Sequence, residues 1–289
     1  SDVCSSDLEF MLCRLVAALT DFEHAVVSLS SDGQMVAALN AAGVEPLQLN
    51  MGRGVTALLG LPRLRHALAQ FNPDLVQTWM CHADLLGGVV ARVSLNVPVA
   101  WGVHQVHEGA EARATTRAVQ YICAKLSSKV PNRIVVCSDA ARTSTIAAGY
   151  DAERCEVIYN GIPTDEYFRS REERIRVRTL LNIGEADIAL LLPARWHADK
   201  DYPNFIAAAK RVLARLPTAK FLLAGAGTET SNIELQRMIE ATGAHDAFVP
   251  LGFRQDMRSV FSAADVGVLS SRTEAMPNVL LEEIGRAHV

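Results

Sequence analysis

Two glutamates, Glu274 and Glu282, bracket Pro277 in the segment SSRTEAMPNVLLEE. Pro277 suits the first position of a helix, where its missing N–H would have no partner anyway. The amides of Asn278, Val279 and Leu280 would then point out of the helix start and attract an anion such as phosphate. Glu282 follows Asn278 by one helical turn and shares its face, while Glu274 precedes the helix on a loop. A carboxylate accepts hydrogen bonds from paired hydroxyls, so two flanking a diphosphate site can grip a ribose and a sugar. The same pattern also fits a plainer arrangement, with Glu274 as a dipole partner of the first turn and Glu282 as a solvated helix residue.

A second cluster lies in LLPARWHADKDYPNF, where Arg195 and Lys200 follow an apolar run ending at Ala194. Two cations off the C-terminal end of a strand can neutralise a diphosphate. They can equally be surface charges. AGAG, Ala224 to Gly227, allows close approach of backbone to a ligand, but so short a glycine motif is common. GVHQVHEG places His104 and His107 just after another strand. Each reads on its own as a structural histidine.

The elements that would position these residues alternate along the chain. Apolar, β-rich runs at Ala25–Leu29, Leu75–Trp79, Val97–Gly102, Arg133–Cys137 and Cys155–Tyr159 predict strands. Helical patterns fall between them at Gln34–Ala42, Pro62–Phe71, Ala83–Val93, Ala112–Lys129 and Asp139–Ala148, the last with Asp139 as N-cap. Continuous apolar strands alternating with helices predict a parallel sheet covered on both faces, hence an α/β fold. The rhythm breaks in the polar stretch Asn160–Arg178. It resumes with strands at Ile188–Ala194, Lys220–Gly227, Ala247–Gly252 and Val266–Ser271, and with helices at Tyr202–Leu216, Asn232–Thr242 and Met257–Ala263. Two doubly wound, Rossmann-like domains follow, over residues 9–165 and 166–282, facing across a cleft at their strand C-terminal ends.

Bulk properties narrow the function class. In 289 residues the hydrophobic content is 49%, the charged content 21% and the formal net charge −4, which gives no general attraction to nucleic acid or an anionic membrane. No apolar run reaches the length of a membrane-spanning helix, and the start lacks the layout of a signal peptide. The six cysteines are scattered without a CxxC pair, as expected for buried thiols in a reducing, cytoplasmic compartment. No convergent metal-ligand spacing appears, and no DxD-type pair, so no metal is expected. A basic face with Arg113, Arg117, Lys125 and Lys129 on the Ala112–Lys129 helix is either solvated or a weak peripheral contact with anionic lipid at the inner face of the cell membrane.

Both ends have an unusual coding property. Asp2–Leu8 can be encoded by GACGTGTGCTCTTCCGATCT plus one base, and the reverse complement of that string lies in GAGATCGGAAGAGCACACGTC, which can encode Glu283–Val289. The string resembles a sequencing adapter. The expectation is that residues 1–8 and 283–289 are adapter-derived, that natural sequence runs from about Glu9 to Glu282, and that both domains are incomplete.

Taken together, the segments resemble a known family. RTEAMPNVLLE looks like the Glu–seven residues–Glu motif of retaining glycosyltransferases of family four, which have the GT-B fold. PARWHADKDYPNFIAAA resembles that family's strand–loop–helix, VIYNGIPTDEYF its Asn-Gly turn, LGFRQDMRSVFSAADVGVLSS its nucleobase-side segment, and EFMLCRLVAAL a helix near its start. The matches run in the family's order from Glu9 to Glu282. The resemblance implies transfer of a sugar from a nucleoside-diphosphate-sugar donor to the hydroxyl of a carbohydrate or lipid-linked acceptor. It places Glu274 on the donor sugar, Glu282 on the nucleotide ribose, and Arg195 and Lys200 on the diphosphate, assisted by the amides of Asn278, Val279 and Leu280. It sets Phe253 and Arg254 beside the base, Asn160 and Gly161 on the donor side, and His104 near the reacting sugar carbon, with His107 as second choice. Departures from the pattern include Ala194 before the arginine, Asp201 in place of glycine after the lysine, and Tyr159 before Asn160. None removes a charged group. The architecture is also compatible with a nucleotide-sugar epimerase or phosphorylase, or with an inert nucleotide-sugar-binding fragment.

Overall fold

The computed structural model describes residues 5–29, 34–52, 54–106, 114–162 and 170–287. The chain divides into two compact units, residues 1–161 and 162–289.

In the first unit, β1 (Val27–Ser28) and β2 (Leu47–Gln48) form a short parallel pair. The pair is much shorter than the Ala25–Leu29 strand expected, and β2 has no counterpart among the strands expected. A separate four-stranded sheet runs in chain order: β3 (Val76–Trp79), β4 (Val99–Val103), β5 (Arg133–Val136) and β6 (Cys155–Val157), all parallel. Val99, Trp101, Ile134 and Val136 are fully buried.

The connection after β3 is helical over residues 81–95, but π-wound at Asp84–Gly88 and Ala91–Leu95. It packs closely on β4, where a Cβ on Gly88 would lie 2.4 Å from Trp101 Nε1. The following helices are Ala114–Leu126 and Asp139–Ala147. The N-cap of the latter is Ser138, not Asp139: Ser138 Oγ accepts from the Ala141 amide at 3.1 Å. Asp139, inside the first turn, accepts from the Tyr159 hydroxyl instead.

The second unit opens with a helix in the stretch that reads as a polar boundary. Arg171–Leu180 is capped by Ser170, whose Oγ accepts from the Glu173 amide. Apolar periodicity misses this helix because one of its core-facing residues is an arginine. Arg178 is buried and donates to the carbonyls of Ala263, Gly184 and Asp187 and to Asp265 Oδ2.

The sheet of this unit is β7 (Ala189–Pro193), β8 (Lys220–Ala224), β9 (Phe248–Gly252) and β10 (Val266–Gly267), in the spatial order β10-β7-β8-β9 and parallel throughout. Alternate residues feed two cores. Leu192, Phe221 and Leu223 pack with Tyr202, Phe205, Leu235 and Ile239 on one face. Ala189, Leu191 and Leu222 pack with Val260 and Phe261 on the other. The covering helices are Tyr202–Leu213, Ile233–Glu240 and Met257–Ala263, with Asn278–Ala287 following β10.

Candidate functional site

Strand order locates the site in the second unit. From β7 the chain builds outward to β8 and β9, then returns to lay β10 on the other side of β7. Open parallel sheets bind ligands at such a reversal, beyond the strand C-terminal ends. The loops leaving β7 and β10 carry Lys200 and Glu274.

These two side chains meet. Lys200 Nζ donates to Glu274 Oε1 at 2.5 Å, with side-chain exposures of 19% and 24%. Three bonds clip their loops together. The Ser270 hydroxyl donates to the Lys200 carbonyl at 2.6 Å, the Arg272 amide donates to the Asp199 carbonyl at 2.8 Å, and Arg272 Nε stands 3.4 Å from Asp201 Oδ2. Lys200 ends a single 3₁₀ turn, Ala198–Lys200, whose N-cap His197 accepts from the Asp199 amide through Nδ1. Asp201 then turns the chain into the next helix with φ +47°. That left-handed conformation favours glycine and tolerates aspartate, which explains how Asp201 stands where the family pattern has glycine.

Arg195 is half-buried, next to buried Ala194, whose carbonyl accepts from the Tyr202 hydroxyl. The AGAG turn serves this loop. A Cβ on Gly225 would fall 2.3 Å from the Ala194 carbonyl oxygen, and the Trp196 amide donates to Ala226. The close approach those glycines allow is thus made to the β7 loop.

The last helix starts at Asn278, one residue later than Pro277. The Leu280 amide donates to the Pro277 carbonyl at 3.1 Å. It is therefore engaged within the turn, not directed outward as the sequence implied. Asn278 is buried, Val279 packs against the second core and Glu282 is half-buried.

At the end of β9, Phe253 is exposed and its amide donates to Glu229 Oε1 at 3.3 Å. Arg254 holds Asp256 through two bonds, at 2.7 and 2.6 Å, and this guanidinium draws the Asp256 carboxyl below its ordinary range. Both donors expected beside a base thus have partners inside the unit. Glu229, Ser270 and Arg272 were not singled out in the sequence. Of these, Ser270 and Arg272 lie in the same SSRTEA segment as Glu274, but their main contacts are to backbone, which leaves no residue signature.

His104, Asn160 and Gly161 belong to the first unit. Gly161 is exposed and Asn160 half-buried. His104 stands just past β4, stacked on Trp79 with ring centroids 4.4 Å apart and planes 2° from parallel. Neither ring nitrogen has a hydrogen-bond partner among the described residues. Burial pushes the imidazole down to about 4, so the ring is neutral at pH 7. It borders a small cavity with Cys81, Asp84 and Tyr150. Buried Asp84 accepts from Thr78 Oγ1 at 2.6 Å; its burial, outweighing this bond, raises the carboxyl well above the ordinary range. His107 lies outside the described residues.

Among the described residues no three His, Cys, Asp or Glu side chains gather as a metal site, and no helix is long and apolar enough to cross a membrane. The Ala114–Leu126 helix exposes Tyr121 and Ile122, with Lys125 Nζ 5.4 Å from the Tyr121 ring centroid.

Comparison with known proteins agrees with this architecture. The chain is 24% identical over 240 residues to the UDP-Gal:alpha-D-GlcNAc-diphosphoundecaprenol alpha-1,3-galactosyltransferase of Escherichia coli, covering 81% of this chain and 60% of that protein. It is 28% identical over 134 residues to the Vi polysaccharide biosynthesis protein VipC/TviE of Salmonella typhi, covering 46% and 23%. The chain thus spans about 60% or less of the length of these relatives. Among solved structures, Anabaena Alr3699/HepE in complex with UDP and glucose superposes with a TM-score of 0.83 at 21% identity, covering 96% of this chain and 74% of that one. WaaG, a glycosyltransferase involved in lipopolysaccharide biosynthesis, gives 0.70 at 18%, covering 96% and 74%. These likenesses establish the fold as GT-B. A model described as Glycosyl transferases group 1 matches residues 188–286. The Glycosyltransferase Family 4 model matches residues 8–166, more than half of the 289, and the chain belongs to that family.

Proposed function

We propose that this protein transfers a sugar from a nucleoside-diphosphate-sugar donor to an acceptor hydroxyl, with retention at the anomeric carbon. The observation that carries the reading is the Lys200–Glu274 contact at the strand-order reversal of the second unit. It sets an ammonium for a diphosphate beside a carboxylate for sugar hydroxyls. As the anomeric C–O bond breaks, positive charge grows on the sugar and negative charge on the departing diphosphate. Lys200 and Arg195 neutralise the latter, with the first turn at Asn278 and Val279 contributing its dipole. Because these groups act in place of a divalent metal, none is required. Glu274 holds the donor sugar and Glu282 the ribose. The segment at Phe253 and Arg254 flanks the base, and the family resemblance assigns Asn160 and Gly161 to the donor and neutral His104 to the reacting carbon.

UDP is the first nucleotide to test, given the UDP in the Anabaena neighbour and the UDP-Gal in the name of the Escherichia coli relative. That relative's name also points to a polyprenyl-diphosphate-linked acceptor, in the assembly of surface polysaccharide or glycolipid. The exposed Tyr121 and Ile122, beside Lys125, suit weak peripheral contact with the inner face of the cell membrane. The test is incubation with UDP-glucose or UDP-galactose and an undecaprenyl-diphosphate-linked saccharide, with NMR of the product. An α-glycoside formed from the α-donor supports the reading. Free sugar phosphate or an epimerised donor without glycoside would replace it with the epimerase or phosphorylase alternative, and donor binding without turnover would leave a binding protein.

A further inference from the structure

We infer that Trp79 is a positioning residue for His104: the face of its indole sets the plane of the imidazole. The inference rests on the proposed role of His104 in sugar transfer.

Four observations converge on this pair. The rings are parallel within 2° at 4.4 Å, so most of the contact is face to face. Register permits this. Trp79 pairs with Gly102, and side chains two apart on a strand share a face. Gly102 provides the room: a Cβ there would come 3.2 Å from His104 Nε2 and 2.8 Å from the Thr78 carbonyl oxygen. With no hydrogen bond to either nitrogen among the described residues, packing alone fixes the ring.

The backbone that presents Trp79 is also held under constraint. Met80, the next residue, has φ +75° and ψ 149°, a region scarcely populated outside glycine. Such conformations persist where the surroundings over-determine them, and they concentrate at functional sites. Here the Met80 amide donates to the Gly102 carbonyl, and the Thr78 hydroxyl donates to the Asp84 carboxyl. The end of β3 is thereby joined to β4 and to the helix that follows it, next to the stacked rings. The titratable groups bordering the same cavity as His104 are Asp84, Cys81 and Tyr150. No described residue offers the imidazole a hydrogen bond, so the stack is what orients it.

The test compares Trp79→Phe, which keeps an aromatic face, with Trp79→Leu, which keeps apolar bulk alone. Histidine Cε1–H NMR of the whole chain reads the stack directly, the His104 signal being assigned by its loss in His104→Gln. In the wild type and in Trp79→Phe the ring current holds that signal upfield of the other histidines; in Trp79→Leu it returns to the ordinary position. With a nucleotide sugar, Trp79→Leu lowers kcat about 10-fold with KM for the donor unchanged, and Trp79→Phe restores it. Leu and Phe variants that match in both spectrum and kcat would overturn the inference. A variant that loses folded dispersion is scored on the Trp79→Phe comparison. If His104→Gln retains full turnover while the NMR pattern holds, the sugar-transfer role of His104 fails and the stack as its orienter fails with it. If the NMR pattern fails while His104→Gln is inactive, only the role of Trp79 is lost.

Discussion

Lys200 and Glu274 meet at 2.5 Å although they stand on loops that leave two neighbouring strands, β7 and β10. The pair neutralises itself at rest. In the function proposed above, a diphosphate entering between the loops would offer Lys200 a more highly charged partner and release Glu274 to accept from sugar hydroxyls. The clip made by Ser270 and Arg272 holds the two loops in register.

Glu274→Gln separates the two roles. It removes the carboxylate that competes for Lys200 but leaves the ammonium in place. Calorimetry should find UDP binding unchanged or tighter, while UDP-sugar loses the extra affinity of its sugar. A charge-assisted hydrogen bond contributes about 1.5–3 kcal/mol, so that loss is roughly 10- to 100-fold. Equal weakening of UDP and UDP-sugar would place Glu274 elsewhere.

Asp201 carries a backbone prediction. At φ +47° a β-branched side chain costs about 1–2 kcal/mol, whereas glycine is accommodated. Urea unfolding should therefore rank Asp201→Gly near the wild type and Asp201→Val lower by that amount. The contact to Arg272 is lost in both variants and does not affect their ranking. Equal stabilities would mean that the turn relaxes.

His104 sets an acid limb to stability. Burial lowers it from 6.5 to about 4 in the fold, so the unfolded chain takes up the proton first. Folding free energy is then lost as pH falls from about 6.5 to about 4, and is fully retained above 6.5. The steepest slope from one such proton is about 1.4 kcal/mol per pH unit. His104→Gln should flatten the limb between those values. An unaltered slope would mean that the ring is hydrated.

Arg178 and Asp265 form the structural counterpart. Burial tends to raise the Asp265 carboxyl, but the Ala189 amide, Arg174 and Arg178 together hold it below its ordinary value. Its contribution is present above the unfolded carboxylate range and is lost as pH falls through the lower folded value. Asp265→Ala leaves the buried guanidinium without its carboxylate and should cost about 3 kcal/mol by chemical denaturation. A loss within about 0.5 kcal/mol, typical of a surface change, would contradict this.

Much of the architecture was legible from sequence because buried parallel strands are continuous apolar runs. IALLLPA and KFLLAGAG contain β7 and β8. The helix at Arg171–Leu180 escaped that test because Arg178 occupies a buried position and satisfies its charge through carbonyls far along the chain. Ser138 and Asp139 are both capping residue types, and only the geometry chooses between them. At the site, residue types and spacing proposed Lys200 and Glu274 as separate candidates; their contact depends on β10 returning beside β7, which spacing does not encode. The Leu280 amide, the backbone clips and the stack of His104 on Trp79 are likewise products of packing.

The central claim is that Lys200 exchanges Glu274 for a diphosphate. Calorimetric titration of UDP into the wild type and Lys200→Ala, each with and without EDTA, tests it most directly. The account predicts a Kd raised about 10- to 100-fold by the substitution and untouched by EDTA. A Lys200→Ala protein that binds UDP as tightly as the wild type would contradict it.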